Sequence, residues 1–241
     1  MPLGRQFARL LTAPFRRRHY RGVAGILKTF EKPSEALRRY VLDAGPYPWT
    51  PTLRTPLGPQ QVTLYSSHDV RTVTEVFCRR DYGEAGGEVV IDLGANIGVS
   101  ALFFLTRRAD ARVYCYEPDP RNAARLRSNL NPFWDRCRLT EVAVGVTSGR
   151  VAFIQEQTGR YSGLAEVSTR AGREIEVECR EITQVLGEVL AIEDQIDLLK
   201  VDTEGNEAEL IAAIPPKQLC LIREVYYETN EADGLTGHFK N

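Results

Sequence analysis

From residue 88 onward, apolar and polar positions alternate between two periods. EVVIDLG is a short apolar run, and IGVSALFFLTRR carries a helical stripe. ARVYCYEP predicts a second strand, and DPRNAARLRSNL a helix opened by Asp119 with Pro120 in its first turn. RCRLTEVAVG predicts a third strand, while GRVAFIQ and EIEVECREI predict extra strands around a polar loop. ITQVLGEVL predicts a helix, IDLLKVD a fourth core strand, NEAELIAAI a helix stopped by Pro215 and Pro216, and CLIREVYYE a fifth strand. Strands alternating with helices predict an α/β fold: a mostly parallel sheet with helices on both faces.

The front of the chain lacks this rhythm. FARLLTAPF is interrupted by Pro14, SEALRRYVLDAG predicts a helix from Ser34 to about Ala44 closed by Gly45, and proline-rich PYPWTPTLRTPLGP predicts a linker. TLRTPLGPQQVTLYSS offers two short strands around a turn, and HDVRTVTEVFCRRDYG a helix with Val70, Val73, Val76 and Phe77 on its apolar side. The expected division is a basic extension and linker over 1–60 and the main domain over 61–241.

Composition narrows the class. The 241 residues are 43% hydrophobic and 26% charged, suited to one soluble domain with a small appendage. No run approaches a membrane span and no signal-like start is present, so the expected location is cytoplasmic. Five scattered cysteines suggest neither a disulfide framework nor a zinc site. Residues 1–40 hold ten Lys or Arg against Glu31 and Glu35, a balance of +8 within a chain of net −1. RRRHYR could meet nucleic acid or an anionic surface, but no aromatic interleaving or RNA-binding motif accompanies it, so the expectation is a solvated arm with no specific nucleic-acid partner.

The loop after the first core strand carries the chemistry. Ligands of open α/β sheets lie beyond the carboxyl ends of the strands, where Asp92-Leu93-Gly94-Ala95-Asn96-Ile97-Gly98 falls. Gly94 and Gly98 permit close backbone approach, but the order is not GxGxxG, and Asp92 would repel a pyrophosphate. A carboxylate there could instead accept a hydrogen bond from an amino group, which S-adenosylmethionine has. Glu117, ending the second strand, is placed to accept both ribose hydroxyls. Two acids and two glycines suit one small nucleoside better than a dinucleotide; the alternative is a tight turn without a ligand.

VVIDLGANIGVSALFF, YCYEPDPRNAARLRSNL and DLLKVDTEGNEAELI, in this order, resemble the three blocks of the FkbM-type S-adenosylmethionine-dependent methyltransferases, and the DVRTVTEVFCRRDYG lead-in is similar too. The resemblance covers about residues 62 to 230. It implies the class I methyltransferase fold, a Rossmann-like mostly parallel sheet. Asp92, Gly94, Ala95, Asn96, Gly98, Glu117 and Pro118 would line the cofactor, and Ala143 would lie by the adenine.

Methyl transfer to a hydroxyl needs alignment and benefits from a base. DLLKVDTEGNE offers Lys200, Asp202, Glu204 and Glu207 at and beyond the fourth strand. Alternation sets Lys200 and Asp202 on one face. The expected base or substrate anchor is Asp202 or Glu204, with Lys200 orienting one of them or stabilising a developing alkoxide. The structural alternative has Glu204 capping the next helix, Glu207 in its first turn, and Lys200 merely neutralising Asp202. A looser alternative places a divalent cation on Asp202, Glu228 and Asn230; the expected metal requirement is none. No NPPY-type stretch or Pro-Cys pair is present, which leaves an oxygen acceptor. His19, His68 and His238 lie outside the core blocks and are expected in loops or at the surface, and Arg160 and Tyr161 sit in a loop that could touch substrate.

The resemblance therefore implies an O-methyltransferase acting on a hydroxyl of a sugar or polyketide-like small molecule. The rivals are a nucleotide-dependent oxidoreductase and a truncated cofactor-binding domain without turnover. Relatives continue past the fifth strand, whereas here only EADGLTGHFKN follows. The C-terminal strands are accordingly expected to be missing, leaving a fifth-strand edge open to a partner subunit.

Overall fold

The computed structural model describes residues 17–83, 87–156, 163–164, 172–203, 205–228 and 236–240. The chain forms two compact units, residues 1–81 and 82–241.

In the first unit, α1 (Arg17–Thr29) and α2 (Pro33–Leu42) precede a hairpin of β1 (Thr52–Thr55) and β2 (Gly58–Gln61). α3 (Ser67–Val73) then runs into a π-helical turn over Thr74–Arg79. Ser66 and Asp69 form a reciprocal cap at the start of α3, so two otherwise orphaned N–H groups are satisfied where the sequence turns from strand to helix. The proline-rich stretch is not a linker. Leu53 is fully buried, Trp49 stacks on Phe30 at 5.9 Å, and the buried Arg39 guanidinium lies over the rings of Tyr47 and Trp49. Prolines fix backbone angles that short paired strands tolerate, so their density misread packed structure as a spacer.

The second unit is built on a six-stranded sheet. Its strands are β3 (Val89–Leu93), β4 (Arg112–Tyr116), β5 (Cys137–Thr140), β10 (Ile196–Val201), β11 (Ile222–Glu228) and β12 (Thr236–Lys240). Their spatial order is β12-β11-β10-β3-β4-β5, with β12 antiparallel to β11 and the other neighbours parallel. The helices α4 (Val99–Leu105), α5 (Pro120–Leu130), α6 (Ile182–Leu190), α7 (Glu207–Ala213) and α8 (Pro216–Leu219) intervene. This is the mostly parallel α/β sheet that the alternation predicts, and it agrees with the Rossmann-like class I methyltransferase fold that the resemblance implies. Odd positions of β3 (Val89, Ile91, Leu93) enter one apolar core with Ile182, Val185 and Leu186 of α6 and Leu210 of α7, leaving Asp92 on the other face.

Two elements differ from expectation. RCRLTEVAVG splits into β5 and β6 (Ala143–Gly145), and β6 belongs to a second sheet of order β6-β9-β7-β8. Its other members are β7 (Gly149–Gln155), β8 (Gly163–Leu164) and β9 (Arg173–Glu181). The fifth strand's edge is also not open. Thr236–Lys240 covers it, with His238 stacked on Tyr226 at 4.4 Å and Lys240 paired with Glu224 at 2.8 Å. The expectation of an open fifth-strand edge is thereby corrected, and of the expected missing antiparallel pair one strand is present: alternating TGHFK is long enough for it.

Candidate functional site

The sheet's strand order reverses between β3 and β10. Lys200 pairs in register with Asp92, and Val201 with Leu93. The two strands therefore deliver their polar residues to one place, the crevice where ligands of such sheets bind.

The loop after β3 is shaped from within. Gly94 has φ +73°, and a Cβ there would lie 1.8 Å from the Asp202 carbonyl oxygen, so glycine is required by the crossing of the two strand ends. The Gly94 and Ala95 N–H groups both donate to the Tyr116 carbonyl, at 3.0 and 3.1 Å. Asn96 is left-handed at φ +49°, and its Oδ1 accepts the Ile97 N–H at 2.8 Å. Gly98, at φ +85°, packs where a Cβ would press on Leu126 and Leu130. Asn129 donates to the Ile97 carbonyl at 2.9 Å and pins the loop to α5.

Asp92 is fully buried. Ser100 Oγ donates to its Oδ2 at 2.5 Å and Lys200 Nζ to its Oδ1 at 2.8 Å. This carboxylate is therefore turned inward, toward protein cations and hydroxyls, and not toward an incoming amino group. Lys200 is itself buried and donates further to the Gly94 carbonyl at 3.1 Å, with Asp202 Oδ2 at 3.3 Å. Burial pushes the Lys200 ammonium toward neutrality, but Asp92 and Asp202 outweigh it and hold it charged, well above an ordinary lysine. Tyr82 also bears on this charge, and its ring packs against Phe104 and Tyr226 at 5.6 Å each.

Asp202 differs from both. Its side chain is 35% exposed, at the mouth between the strands, while its N–H continues the ladder to the Leu93 carbonyl at 3.2 Å. Glu207 is not a surface residue of the next helix: buried, it accepts the N–H groups of Thr203 and Gly205 at 3.0 Å and builds the turn after β10. Glu204, Arg160, Tyr161 and Asn230 lie outside the described residues, as does the side chain of Glu228, and among the described residues no cluster able to hold a metal ion occurs.

Glu117 ends β4 and is 4% exposed. Its Oε2 accepts the Asn96 N–H and its Oε1 the Asp119 N–H, each at 2.8 Å. Burial pushes its carboxyl up to about 7, and the two backbone donors pull it back only in part. Each oxygen has acceptor capacity left, so the group suits a pair of hydroxyl donors. Pro118 follows, half-buried, and Asp119 is fully buried as the cap of α5. Ala143 opens β6 and packs with Phe153, Val177 and Cys179 in the core of the second sheet.

The structure thus gathers Asp92, Gly94, Lys200 and Asp202 around the β3/β10 crossing, and the Asn96 N–H against Glu117. Ser100, Tyr82 and Asp119 are additions that strand periodicity does not single out; only Asp119, at a helix start before proline, has a sequence signal. Of the histidines, His68 lies in α3 of the first unit and His238 in β12. All five cysteines are free, and those of Cys115 and Cys137 approach to 3.8 Å inside the sheet.

A family model described as a methyltransferase FkbM domain matches residues 92–234. The 2-O-methyltransferase NoeI of Sinorhizobium fredii is 33% identical, over 62% of this chain and 66% of its own length. The 31-O-demethyl-FK506 methyltransferase FkbM of Streptomyces tacrolimicus is 28% identical, over 77% of this chain and 84% of its own length. Among solved structures, a methyltransferase FkbM from Methylobacillus flagellatus aligns with a TM-score of 0.41 at 17% identity, covering 67% of this chain and 43% of that one.

Proposed function

This chain belongs to the FkbM methyltransferase family, and from that premise we propose that it transfers a methyl group from S-adenosylmethionine to a hydroxyl of a sugar- or polyketide-like small molecule. The relatives' names support an oxygen acceptor, one being a 2-O-methyltransferase and another acting on a 31-O-demethyl compound. The observation that carries the reading is the pairing, at one strand crossing, of a half-exposed carboxylate with a buried ammonium (Asp202 and Lys200, 3.3 Å).

S-adenosylmethionine, when bound, supplies an electrophilic methyl on a sulfonium. Glu117 receives its ribose hydroxyls; the spare acceptor capacity of that buried carboxylate is what fits the group. Gly94, Ala95, Asn96 and Gly98 form the adjoining turn, Pro118 would line the cofactor beside Glu117, and Ala143 would lie by the adenine. Asp92 acts indirectly: its charge holds Lys200, and through Lys200 the Gly94 carbonyl and Asp202. Asp202 would orient the acceptor hydroxyl and take its proton as the oxygen–carbon bond forms and the sulfonium–carbon bond breaks, the electron pair leaving with the neutral thioether S-adenosylhomocysteine. Lys200 is a positioning residue, too buried to reach a developing alkoxide. Glu204 is the alternative base.

Transfer of a tritiated methyl group from S-adenosylmethionine to a panel of hydroxylated glycosides and macrolides tests the proposal. Asp202→Asn is expected to lower turnover by 10²-fold or more, on the order of a lost general base, while calorimetric affinity for S-adenosylhomocysteine stays within about twofold. Unchanged turnover in Asp202→Asn together with loss in Glu204→Gln would move the role to Glu204.

A further inference from the structure

The hairpin of β7 and β9 lies apart from the main sheet, yet a continuous chain of hydrogen bonds runs from it to Glu117. Gln155, the last residue of β7, donates from Nε2 to Asp119 Oδ1 at 2.7 Å. Arg121 Nη2 donates to Asp119 Oδ2 at 3.1 Å and to the Glu156 carbonyl at 2.7 Å, while the Arg121 N–H reaches Asp119 Oδ1 at 2.8 Å. Asp119 is fully buried, and among the described residues these side-chain donors offset the desolvation of its carboxylate. Its own N–H then donates to Glu117 Oε1 at 2.8 Å.

The direction of dependence follows from burial. A fully buried carboxylate that loses a donor must move to recover one, because its desolvation is no longer offset. Movement of Asp119 carries its amide with it, since side chain and N–H share one Cα at the sharp passage from β4 into α5. Glu117 would then lose one of the two backbone donors that set its orientation. Gln155 and Arg121 contact no atom of Glu117 in this chain of bonds, so any effect they have on it travels through Asp119.

We propose that Gln155 and Arg121 are positioning residues for the cofactor: they clamp Asp119, whose backbone N–H holds the Glu117 carboxylate in place for the ribose hydroxyls, making the β7–β9 hairpin a working part of the cofactor site. The proposal rests on the reading of Glu117 as the ribose acceptor. It assigns a role in binding to a hairpin that lies outside the six-stranded sheet.

The test uses the full chain with Gln155→Leu and Arg121→Met, which keep side-chain bulk and remove the donors. Calorimetry with S-adenosylhomocysteine is expected to show an affinity loss of about tenfold in each. In Arg121→Met the pH midpoint of that affinity is expected to move upward, because Asp119 loses a cation and repels the Glu117 charge more strongly. Amide hydrogen exchange at Asp119, read in the ligand-free protein, is expected to accelerate in both variants while exchange in β3 and β10 stays slow. Failure of the unaltered protein to bind S-adenosylhomocysteine would defeat the underlying reading of Glu117, and the proposal with it. Parental affinity and pH midpoint in both variants, with or without faster exchange at Asp119, would overturn the positioning role while leaving that reading intact.

Discussion

Asp92 and Glu117 are both carboxylates at strand ends, and their surroundings give them opposite roles. Asp92 is closed off by Ser100 and Lys200 and acts as an internal counter-ion. Removing the cation while leaving the acid strands a buried charge, so Lys200→Met is expected to destabilise the fold by about 3–5 kcal/mol, and the double variant with Asp92→Asn by clearly less. Chemical denaturation of the single and the double variant measures this. Glu117 titrates near neutrality instead. Between its ordinary value of 4.5 and about 7 the native state holds a proton that the unfolded chain has released, so the free energy of unfolding falls as pH rises through that window. Ribose hydroxyls are donors and favour the ionised form, so affinity for S-adenosylhomocysteine is expected to be full above about pH 7 and to weaken as pH falls. Glu117→Gln should flatten both profiles, in stability titrations and in calorimetry. The presence of acids at 92 and 117 was legible in the sequence; that Asp92 is closed off by a cation and a hydroxyl of its own chain was not. That closure depends on Lys200, which lies 108 positions from Asp92 and pairs with it only across the sheet.

At the scale of elements, the loop after β3 is set by the strand beside it. Gly94→Ala would place a methyl group inside the Asp202 carbonyl and keep a left-handed backbone. It is expected to cost about 3 kcal/mol or more, the sum of roughly 1–2 for the αL conformation and a similar or larger amount for overpacking, with a matching drop in the denaturation midpoint. The sequence marked this glycine as one that lets a ligand approach; the contact that demands it comes from its own chain. β3 and β10 were readable as continuous apolar runs because both of their faces are buried, and α5 as a helical stripe because one of its faces is. The division of RCRLTEVAVG between β5 and β6 was not, because a strand that changes sheets keeps its apolar content while changing partners. The proline-rich stretch was misjudged for the reverse reason: its composition is that of a spacer, and Leu53 and Trp49 are anchored by distant partners, Phe30 and Arg39.

At the scale of the whole molecule, the sheet's outer strands are β12 and β5, and β12 guards a neighbour that sends Ile222 and Val225 into the core. Deleting residues 236–241 would expose the β11 edge and the Tyr226 ring that His238 covers. The thermal midpoint is expected to fall by on the order of 5 °C, with new self-association in sedimentation experiments. A parallel sheet was inferable from the alternation of elements, whereas the covering strand was hidden in a short segment with little apolar weight. The pairing of β3 with β10 has a further consequence, for synthesis. As the chain leaves the ribosome, the segment bearing Asp92 is complete about a hundred residues before Lys200 arrives, and because contacts so distant in sequence form slowly, the nascent protein carries an unneutralised acid in its future centre. Synthesis of the β10 segment thus decides when that centre can close, and a pause before it would prolong exposure to chaperones and proteases.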